Sequence, residues 1–507
     1  MQYILCTSKW SVAQERDDEK DMEGQEEQKE KTSKRKTLIK DLTEGSVPRE
    51  LMLFALPLAL SGVLQAVYNM VDMVVVGRCL ESAGVSAVSI GGDLMMVLTF
   101  VAMGFSNAAQ VIISQYVGAN HPEKVSKMIG TLFTFLGGCA IAMTVIFLLL
   151  RNSILVWVKT PAESWDYTMD YVVTCMIGLV FIYGYNLVSA ILRGMGDSRH
   201  PFLFIAIASV LNAILDVVFV VSWDMEVFGA ALATVIGQAV SFLCALMILY
   251  RRRAEFLFDF RPKSFRITRD TLLPLISLGI PMSIQSAAVS ISRVYVNSWV
   301  NSYGVIASAV SGMGHKLEMF NNTIVHGFTT AGSSMVAQCI GAKKYKRVTE
   351  VILTLLAING AASGVFILCT VCWPRAVFGI FLSEPEALDM AVTYVPVAVV
   401  SFIGSIIRPS MLSLINGSGN SRLNLAVALL DGVIVRIGLA LLLGLCFHLG
   451  VYGFWYGNAF AGWVPFFVGT IYYFSGSWKR SGRLLRKVKR RPHLKKQADL
   501  SSGQLLS

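Results

Sequence analysis

The chain has 507 residues, of which 54% are hydrophobic and only 15% charged, and its mean hydropathy is +0.59. A soluble domain carries about 25% charged residues, so this composition excludes an ordinary soluble protein and indicates a polytopic membrane protein. The net charge of +11 does not indicate nucleic-acid binding, because the basic residues concentrate in a few short loops and at the two ends of the chain. We therefore expect the lipid bilayer, and no nucleic acid, as a partner.

The first 45 residues form a polar tail with mixed charges between Glu15 and Lys36. Such a composition buries too little apolar surface to fold, so we predict a disordered tail over residues 1–45. The apolar run from Tyr3 to Cys6 is too short for a signal peptide.

Twelve apolar segments follow, each long enough for a helix that crosses a bilayer with about 20 residues or more. They lie at 50–77, 86–117, 125–150, 167–192, 201–222, 229–250, 271–300, 304–340, 348–372, 388–415, 422–447 and 452–475. We therefore predict an all-α membrane protein with twelve transmembrane helices. Its parts are an N-lobe (46–250, helices 1–6), a basic linker (251–270), a C-lobe (271–475, helices 7–12) and a basic tail (476–507).

The distribution of Lys and Arg predicts the orientation. If both termini are cytoplasmic, the inside loops and tails hold 36 of the 44 basic residues, and the outside loops hold four. This bias follows the positive-inside rule, so we expect a multi-pass protein of the plasma membrane, in a bacterium, with both ends inside.

The two halves of the chain resemble each other at a nearly constant spacing. Ser114–Ala119 matches Ala337–Ala342 at 223 residues, and Gly194–Arg199 matches Gly417–Arg422 at the same distance. Each half has six spans, an even number, so both halves enter the membrane from the same side. The sequence therefore predicts two six-helix lobes related by a pseudo-twofold axis along the membrane normal, the plan of a rocking transporter.

The first segment holds a single charged residue, Asp72, between Leu51 and Gly77. The polar residues Gln65, Tyr68, Asn69 and Asp72 are spaced as one face of a helix. A carboxylate in hydrocarbon costs on the order of 3 kcal/mol or more, so it normally faces a bundle interior or water and acts as a proton relay or ion ligand. The alternative is a structural acid paired with a neighbouring helix.

A second intramembrane acid, Asp216, lies on the fifth segment one turn after Asn212. The repeat gives neither acid a twin, since the counterpart of Asp72 is Tyr295 or Val296 and that of Asp216 lies near Leu439. Both acids stand six residues from the outer end of an outward-running segment, about 9 Å deep at 1.5 Å per residue. Two carboxylates at one depth in one lobe predict a site for a proton or a monovalent cation.

The second half carries a different set of intramembrane charges, which we expect to form a network: Arg293, Glu318 and Arg408. Opposite charges within a membrane usually pair, so we expect Glu318 to neutralise a basic neighbour rather than bind an ion. His315 and His326 have the chemistry of proton relays, although a lone membrane histidine is more often a packing residue.

Other site chemistries find little support. Cys369-x-x-Cys372 has metal or redox spacing but lies on an apolar segment without a second pair, so we expect no metal. The chain has no His-Glu-x-x-His, Gly-x-Ser-x-Gly or Walker A motif, which argues against an enzyme. The unduplicated acids and the two halves argue against a passive channel.

Four motifs together resemble the multidrug and toxic compound extrusion (MATE) family, and the resemblance covers residues 45 to 475. They are Pro57…Gln65-x-x-Tyr68-Asn69-x-x-Asp72…Gly77-Arg78, Arg193-Gly194-x-Gly196-Asp197-x-x-x-Pro201, Asn212-x-x-x-Asp216 and Gly229-Ala230-Ala231-x-Ala233-Thr234. The resemblance implies export of bulky, often cationic organic compounds in exchange for H⁺ or Na⁺, without a cofactor, by a chain that we expect to be monomeric.

The resemblance also implies which residues serve coupling. The positions of the family's N-lobe cation site match Asp72, Asn186, Asn212, Asp216 and Thr234. Gln65 and Tyr68 match cavity-facing positions of the first helix, with Asn69 on the same face. Some members place carboxylates on the seventh and tenth helices instead. Here the seventh has none and the tenth has only Asp389 at its outer mouth, which argues against a C-lobe sodium site.

A flippase for lipid-linked precursors, from the same fold superfamily, is the alternative function. Such a protein would be expected to have a strongly basic cavity for pyrophosphate, whereas the first lobe of this chain is acidic within the membrane.

Overall fold

The computed structural model describes residues 39–79, 82–256 and 258–480, and within these ranges every regular element is helical. Twelve helical passages, α1 to α12, follow one another in the chain. They are Val47–Cys79, Ser82–Gly118, Pro122–Trp157, Trp165–Ile177 with Leu179–Gly194, Arg199–Ser222, Glu226–Arg251, Arg269–Asn301, Val305–Gly341, Tyr345–Cys372, Pro385–Gly417, Ser421–Cys446, and Val451–Ala461 with Val464–Phe474.

Nine of these passages are single helices long and apolar enough to cross a membrane, and the two pieces of α4, bent by 45°, form a tenth. The remaining two depart from the simple pattern for visible reasons. The helix α8 has 37 residues but includes Lys316 and Glu318, and α12 consists of two helices of 11 residues. The prediction of an all-α membrane protein with twelve helices is confirmed.

The repeat is visible in the helices themselves. The helices α2 and α8 both have 37 residues and begin 223 residues apart, and α1 and α7 both have 33 residues. The lobes also contact each other reciprocally. Gln115 of the N-lobe donates to the Gly417 carbonyl at 2.8 Å, and Gln338 of the C-lobe donates to the Gly194 carbonyl at 3.5 Å. A pair of contacts that exchanges equivalent residues is the signature of a twofold interface.

These contacts lie at one end of the bundle, which we call the basic end because it holds Lys343 and Lys344, between α8 and α9, and Arg347 in the first turn of α9. Glycines permit the lobes to meet here. A Cβ on Gly118 would lie 2.0 Å from the Gln338 carbonyl oxygen, and one on Gly341 would lie 2.3 Å from that of Gln115. No side chain fits such a gap, so the backbones of α2 and α8 touch directly.

Residues 39–45, predicted as part of a disordered tail, are instead held at the basic end. The Leu42 N–H donates to Gln338 at 2.9 Å and the Lys40 N–H to the Met195 carbonyl at 2.8 Å. Arg347 donates to three carbonyls of this segment at 2.6 to 3.2 Å. Backbone hydrogen bonds to both lobes thus order residues whose composition alone predicts disorder. The rest of the predicted tail, residues 1–38, lies outside the described residues.

The predicted linker, 251–270, packs against the N-lobe through an aromatic cluster. Phe258, Phe260 and Phe265 contact one another, and the latter two also contact Phe133 of α3. Hydrogen bonds from the Ser264 hydroxyl and a nearby backbone N–H lower the pKa of the Asp259 carboxyl in this segment. Of the predicted basic tail, only residues 476–480 are described, and the rest lies outside the described residues.

Candidate functional site

The two N-lobe acids come together as the depth argument predicts. Asp72 lies on α1 and Asp216 on α5, and the carboxylates are close enough to interact electrostatically. Asp216 is completely buried, and Asp72 is half-buried. Each acid has one carboxylate oxygen, Oδ1, that is buried without a hydrogen-bond partner. Within the described chain neither acid has a basic side chain within 4.0 Å, so both lack the counter-ion of a structural acid.

Asn212 and Thr234 complete the surroundings of Asp216. One orientation of the Asn212 amide gives partners to both its nitrogen and its oxygen. In that orientation the nitrogen donates to Asp216 Oδ2 at 2.9 Å, and the oxygen accepts from the Thr234 N–H at 3.2 Å. The spacing i, i+4 places Asn212 and Asp216 on one face of α5, and Thr234 reaches them from α6. Oxygen ligands of this kind suit a proton or a hard cation such as Na⁺.

The first helix contributes its polar face to the same region. Tyr68 lies near the Thr234 side chain and near both acids. With Gln65 it lines a small cavity between α1, α4, α5 and α6, where the accessible space of about 20 Å³ is enough for one water molecule. Asn69 is exposed. Tyr171 of α4, which sequence reasoning missed, is buried beside Asp72 and Tyr68.

Asn186, the fourth-helix position implied by the family resemblance, is not drawn into this group. Its amide donates to the Ile182 carbonyl one turn earlier in its own helix, at 2.8 Å. The neighbouring Tyr185 lines the small cavity instead.

The hydrogen bonding of α5 changes immediately after Asp216. Residues Val217–Ser222 form a π-helical turn, and so do Leu430–Ile434 and Leu442–Cys446 in the equivalent helix α11. Single π turns interrupt α-helices frequently at functional sites. Here the π turn of α5 follows Asp216 directly, and the first π turn of α11, Leu430–Ile434, contains Asp431. Nothing in residue type predicts such a turn, so sequence reasoning could not find it.

The C-lobe charges form two groups rather than one network of Arg293, Glu318 and Arg408. Glu318 pairs with Arg293 at 3.7 Å and lies 3.9 Å from His315. Arg408 pairs with a different acid, Asp431, at 2.8 Å. The expectation that Glu318 neutralises a basic neighbour therefore agrees with the structure, whereas Arg408 belongs to a second group.

Asp431 is the residue that sequence reasoning missed in this lobe. It is completely buried and accepts from Arg408 and from Arg436, each at 2.8 Å, and Arg436 also donates to Asn458. The available signal was an acid and an arginine five residues apart within one apolar segment, the eleventh. Both C-lobe acids are thus neutralised by guanidinium groups, in contrast to Asp72 and Asp216.

A larger cavity of about 290 Å³ lies between the lobes, lined by α2, α7, α8 and α10. Eleven of its sixteen lining residues are polar, among them Gln110, Gln285, His326, Arg408 and Asn416. Among the described residues, no group of three or more His, Cys, Asp or Glu side chains is arranged to hold a metal ion.

Comparisons with known proteins agree with this architecture. A family model described as MatE matches the chain twice, at residues 57–218 and 281–442, once in each lobe. The "Probable multidrug resistance protein YoeA" of Bacillus subtilis (strain 168) is 30% identical over 365 residues, which cover 71% of this chain and 79% of YoeA.

Solved structures show the same fold at low identity. The crystal structure of "MATE in complex with MaD3S" superposes with a TM-score of 0.80 at 20% identity, over 89% of this chain and 99% of that one. A second structure, described as the "outward-facing conformation of a multidrug resistance MATE family transporter of the MOP superfamily", gives 0.79 at 20% identity over 89% and 98%. Since the family model covers more than half of the sequence and matches both lobes, this chain belongs to the MATE family, whose members are secondary transporters rather than enzymes.

Proposed function

We propose that this protein is a cation-coupled antiporter that exports organic compounds, cationic or amphipathic, in exchange for H⁺ or Na⁺. The observation that supports this most directly is the contrast between the lobes. The C-lobe acids have arginine partners, whereas Asp72 and Asp216 share one buried region with no basic partner among the described residues. A pair of buried carboxylates without a counter-ion is stabilised when it takes up a proton or a cation.

Coupling follows from competition for the same negative charge. The attraction between a carboxylate and a cation 4 Å away is about 4 kcal/mol at an effective dielectric constant of 20. Uptake of H⁺ or Na⁺ from outside removes that attraction, so a cationic substrate near Asp72, Tyr68 and Gln65 is released. Return of the ion to the cytoplasm restores the site. In this proposal the protein acts as a monomer in a bacterial plasma membrane, with both termini inside.

The test is dye efflux from proteoliposomes with imposed pH or Na⁺ gradients. We expect Asp216→Asn to abolish gradient-driven efflux of a cationic dye while insertion stays normal, because the amide keeps the shape and loses the charge. The exposed Asp389→Asn variant is the matched control. Near-wild-type efflux by both Asp72→Asn and Asp216→Asn would refute the role of the acids. Dye-driven proton release, measured with and without Na⁺, identifies the coupling ion.

One observation favours the alternative, a flippase for lipid-linked precursors. The sequence led us to expect an acidic first lobe, whereas the cavity between the lobes contains Arg408 and His326. Transport of a lipid-linked pyrophosphate that is independent of Asp72 and Asp216 would favour this second function.

A further inference from the structure

The interlobe cavity differs in charge from the N-lobe site. Its lining residues include Arg408 and His326 but no carboxylate. The N-lobe site, by contrast, contains the two acids Asp72 and Asp216. The protein thus has an acidic site in one lobe and a separate basic cavity at the interface.

Arg408 is placed to offer its charge to the cavity. Its side chain is 24% exposed, while its partner Asp431 is 0% exposed and lies behind it. Asp431 is also neutralised by Arg436 at 2.8 Å. Two guanidinium groups share one carboxylate, so this group keeps a net positive charge, and the exposed part of it faces the cavity.

Two further features of the cavity favour an anion. His326 is exposed although it lies in the middle of α8, and it is within electrostatic range of both Arg408 and Arg193. Arg193 donates to Gln110, a lining residue, at 2.7 Å and has no salt bridge in the described part of the chain. The Gln285 amide nitrogen, a donor in the same lining, is buried without a partner.

The repeat argues against a role in the shared scaffold. At the 223-residue offset Arg408 corresponds to Tyr185 and His326 to Met103. A residue that is needed for the fold of each lobe would be present in both lobes. Arg408 and His326 therefore serve a feature that occurs only once in the molecule. The cavity on the pseudo-twofold interface is such a place.

We propose that this cavity binds an anionic group (carboxylate, sulfonate or phosphate) of the transported compound, through Arg408 and His326 with Gln285 as a further donor. The inference rests on the proposed function and adds to its substrates compounds that carry an acidic group, zwitterions among them, besides purely cationic ones. A guanidinium group and amide donors match the oxygens of such groups in charge and hydrogen bonding.

Binding to the purified full-length protein in phosphatidylcholine nanodiscs tests the proposal. The probes are carboxyfluorescein, an anion, and rhodamine 123, a cation with the same ring system, followed by fluorescence anisotropy. We expect carboxyfluorescein to bind, and both Arg408→Gln and His326→Gln to weaken it, the former at least about tenfold. Asp431 keeps Arg436 in the first variant, which favours normal folding. The exposed Arg375→Gln is the matched control and should bind as wild type.

The outcomes separate this inference from the proposed function. If carboxyfluorescein does not bind the wild-type protein, or binds both variants as tightly as the wild type, the anion site is overturned. Coupled efflux of rhodamine 123 would still support the antiporter in that case. Adding phosphatidylglycerol to the nanodiscs distinguishes the source of the anionic group. If that lipid displaces the dye, the site exists and its occupant is a lipid headgroup. If dye binding is unchanged, the site exists and its occupant is a soluble organic anion.

Discussion

Replacement of Gly118 by alanine should shift the protein away from the conformation seen here. An added Cβ would lie 2.0 Å from the Gln338 carbonyl oxygen and 2.7 Å from its Cα, all backbone atoms that have no other rotamer. Ordinary contact begins at 3.4 Å, so the two helices have to separate by about 1.4 Å. Since these helices belong to different lobes, the strain acts directly on the contact that closes the basic end.

The size of the effect follows from the cost of overpacking. Extra methyl groups in a well-packed contact cost about 1–3 kcal/mol. A difference of 1.4 kcal/mol is a factor of ten in an equilibrium constant, so we expect a shift of about 5- to 150-fold toward states with a separated basic end. The reciprocal variant Gly341→Ala should act in the same direction, because its Cβ would meet the Gln115 carbonyl oxygen at 2.3 Å.

Spin labels at positions 123 and 346 measure this shift. Both residues are exposed, they lie on opposite lobes, and the repeat relates them by 223 residues. Double electron–electron resonance on a cysteine-free background should show a longer distance population in the alanine variants. Gly137→Ala is the matched control, because nothing lies within 4 Å of its added Cβ. A Gly118→Ala protein with the wild-type distance distribution would show that the lobes do not rely on this contact.

Three further substitutions probe other parts of the structure. Asp431→Asn should lower the free energy of unfolding by about 3–5 kcal/mol, because the buried Arg436 and the partly exposed Arg408 lose their counter-ion, whereas the surface variant Asp389→Asn should change it by less than about 1 kcal/mol; thermal unfolding in detergent compares them. Arg347→Ala should speed hydrogen exchange of residues 39–45, since it removes three hydrogen bonds to their carbonyls, and unchanged protection would contradict the docking. Thr234→Val should weaken binding of the coupling ion about 2- to 10-fold in calorimetry, and Thr234→Ser should restore it, because the hydroxyl supplies a side-chain oxygen beside Asn212.

The helices and the lobes were predictable because each depends on a signal that the sequence carries locally or repeats. Apolar length predicts a span, and matching motifs at one offset predict equivalent helices. The proximity of Asp72 and Asp216 was predictable from depth, since a bilayer aligns residues that lie equally far from one end of their helices. The repeat also applies to packing, because the equivalent residues Gln115 and Gln338 make equivalent contacts with the opposite lobe.

Other features depend on contacts between distant parts of the chain. From the sequence, either Glu318 or Asp431 could pair with Arg408. Only the packing of α10 against α11 decides that Asp431 is its partner. Residues 39–45 are ordered by Arg347, about 300 positions away, so their own composition is a poor guide. The resemblance to the family likewise assigns Asn186 a role by position, while its amide in this structure is bonded within its own helix.

The charge asymmetry between two otherwise equivalent lobes has a consequence for coupling. In the proposed antiport cycle the N-lobe site faces water in one state and is closed off in the other, and closing off two carboxylates without a counter-ion is costly. A bound proton, Na⁺ or cationic group lowers that cost, so the loaded protein changes conformation more readily than the empty one. Glu318 and Asp431 of the C-lobe differ, because Arg293, Arg408 and Arg436 neutralise them in this structure. In the proposed cycle, Asp72 and Asp216 are therefore the residues at which ion binding would control the rocking of the lobes.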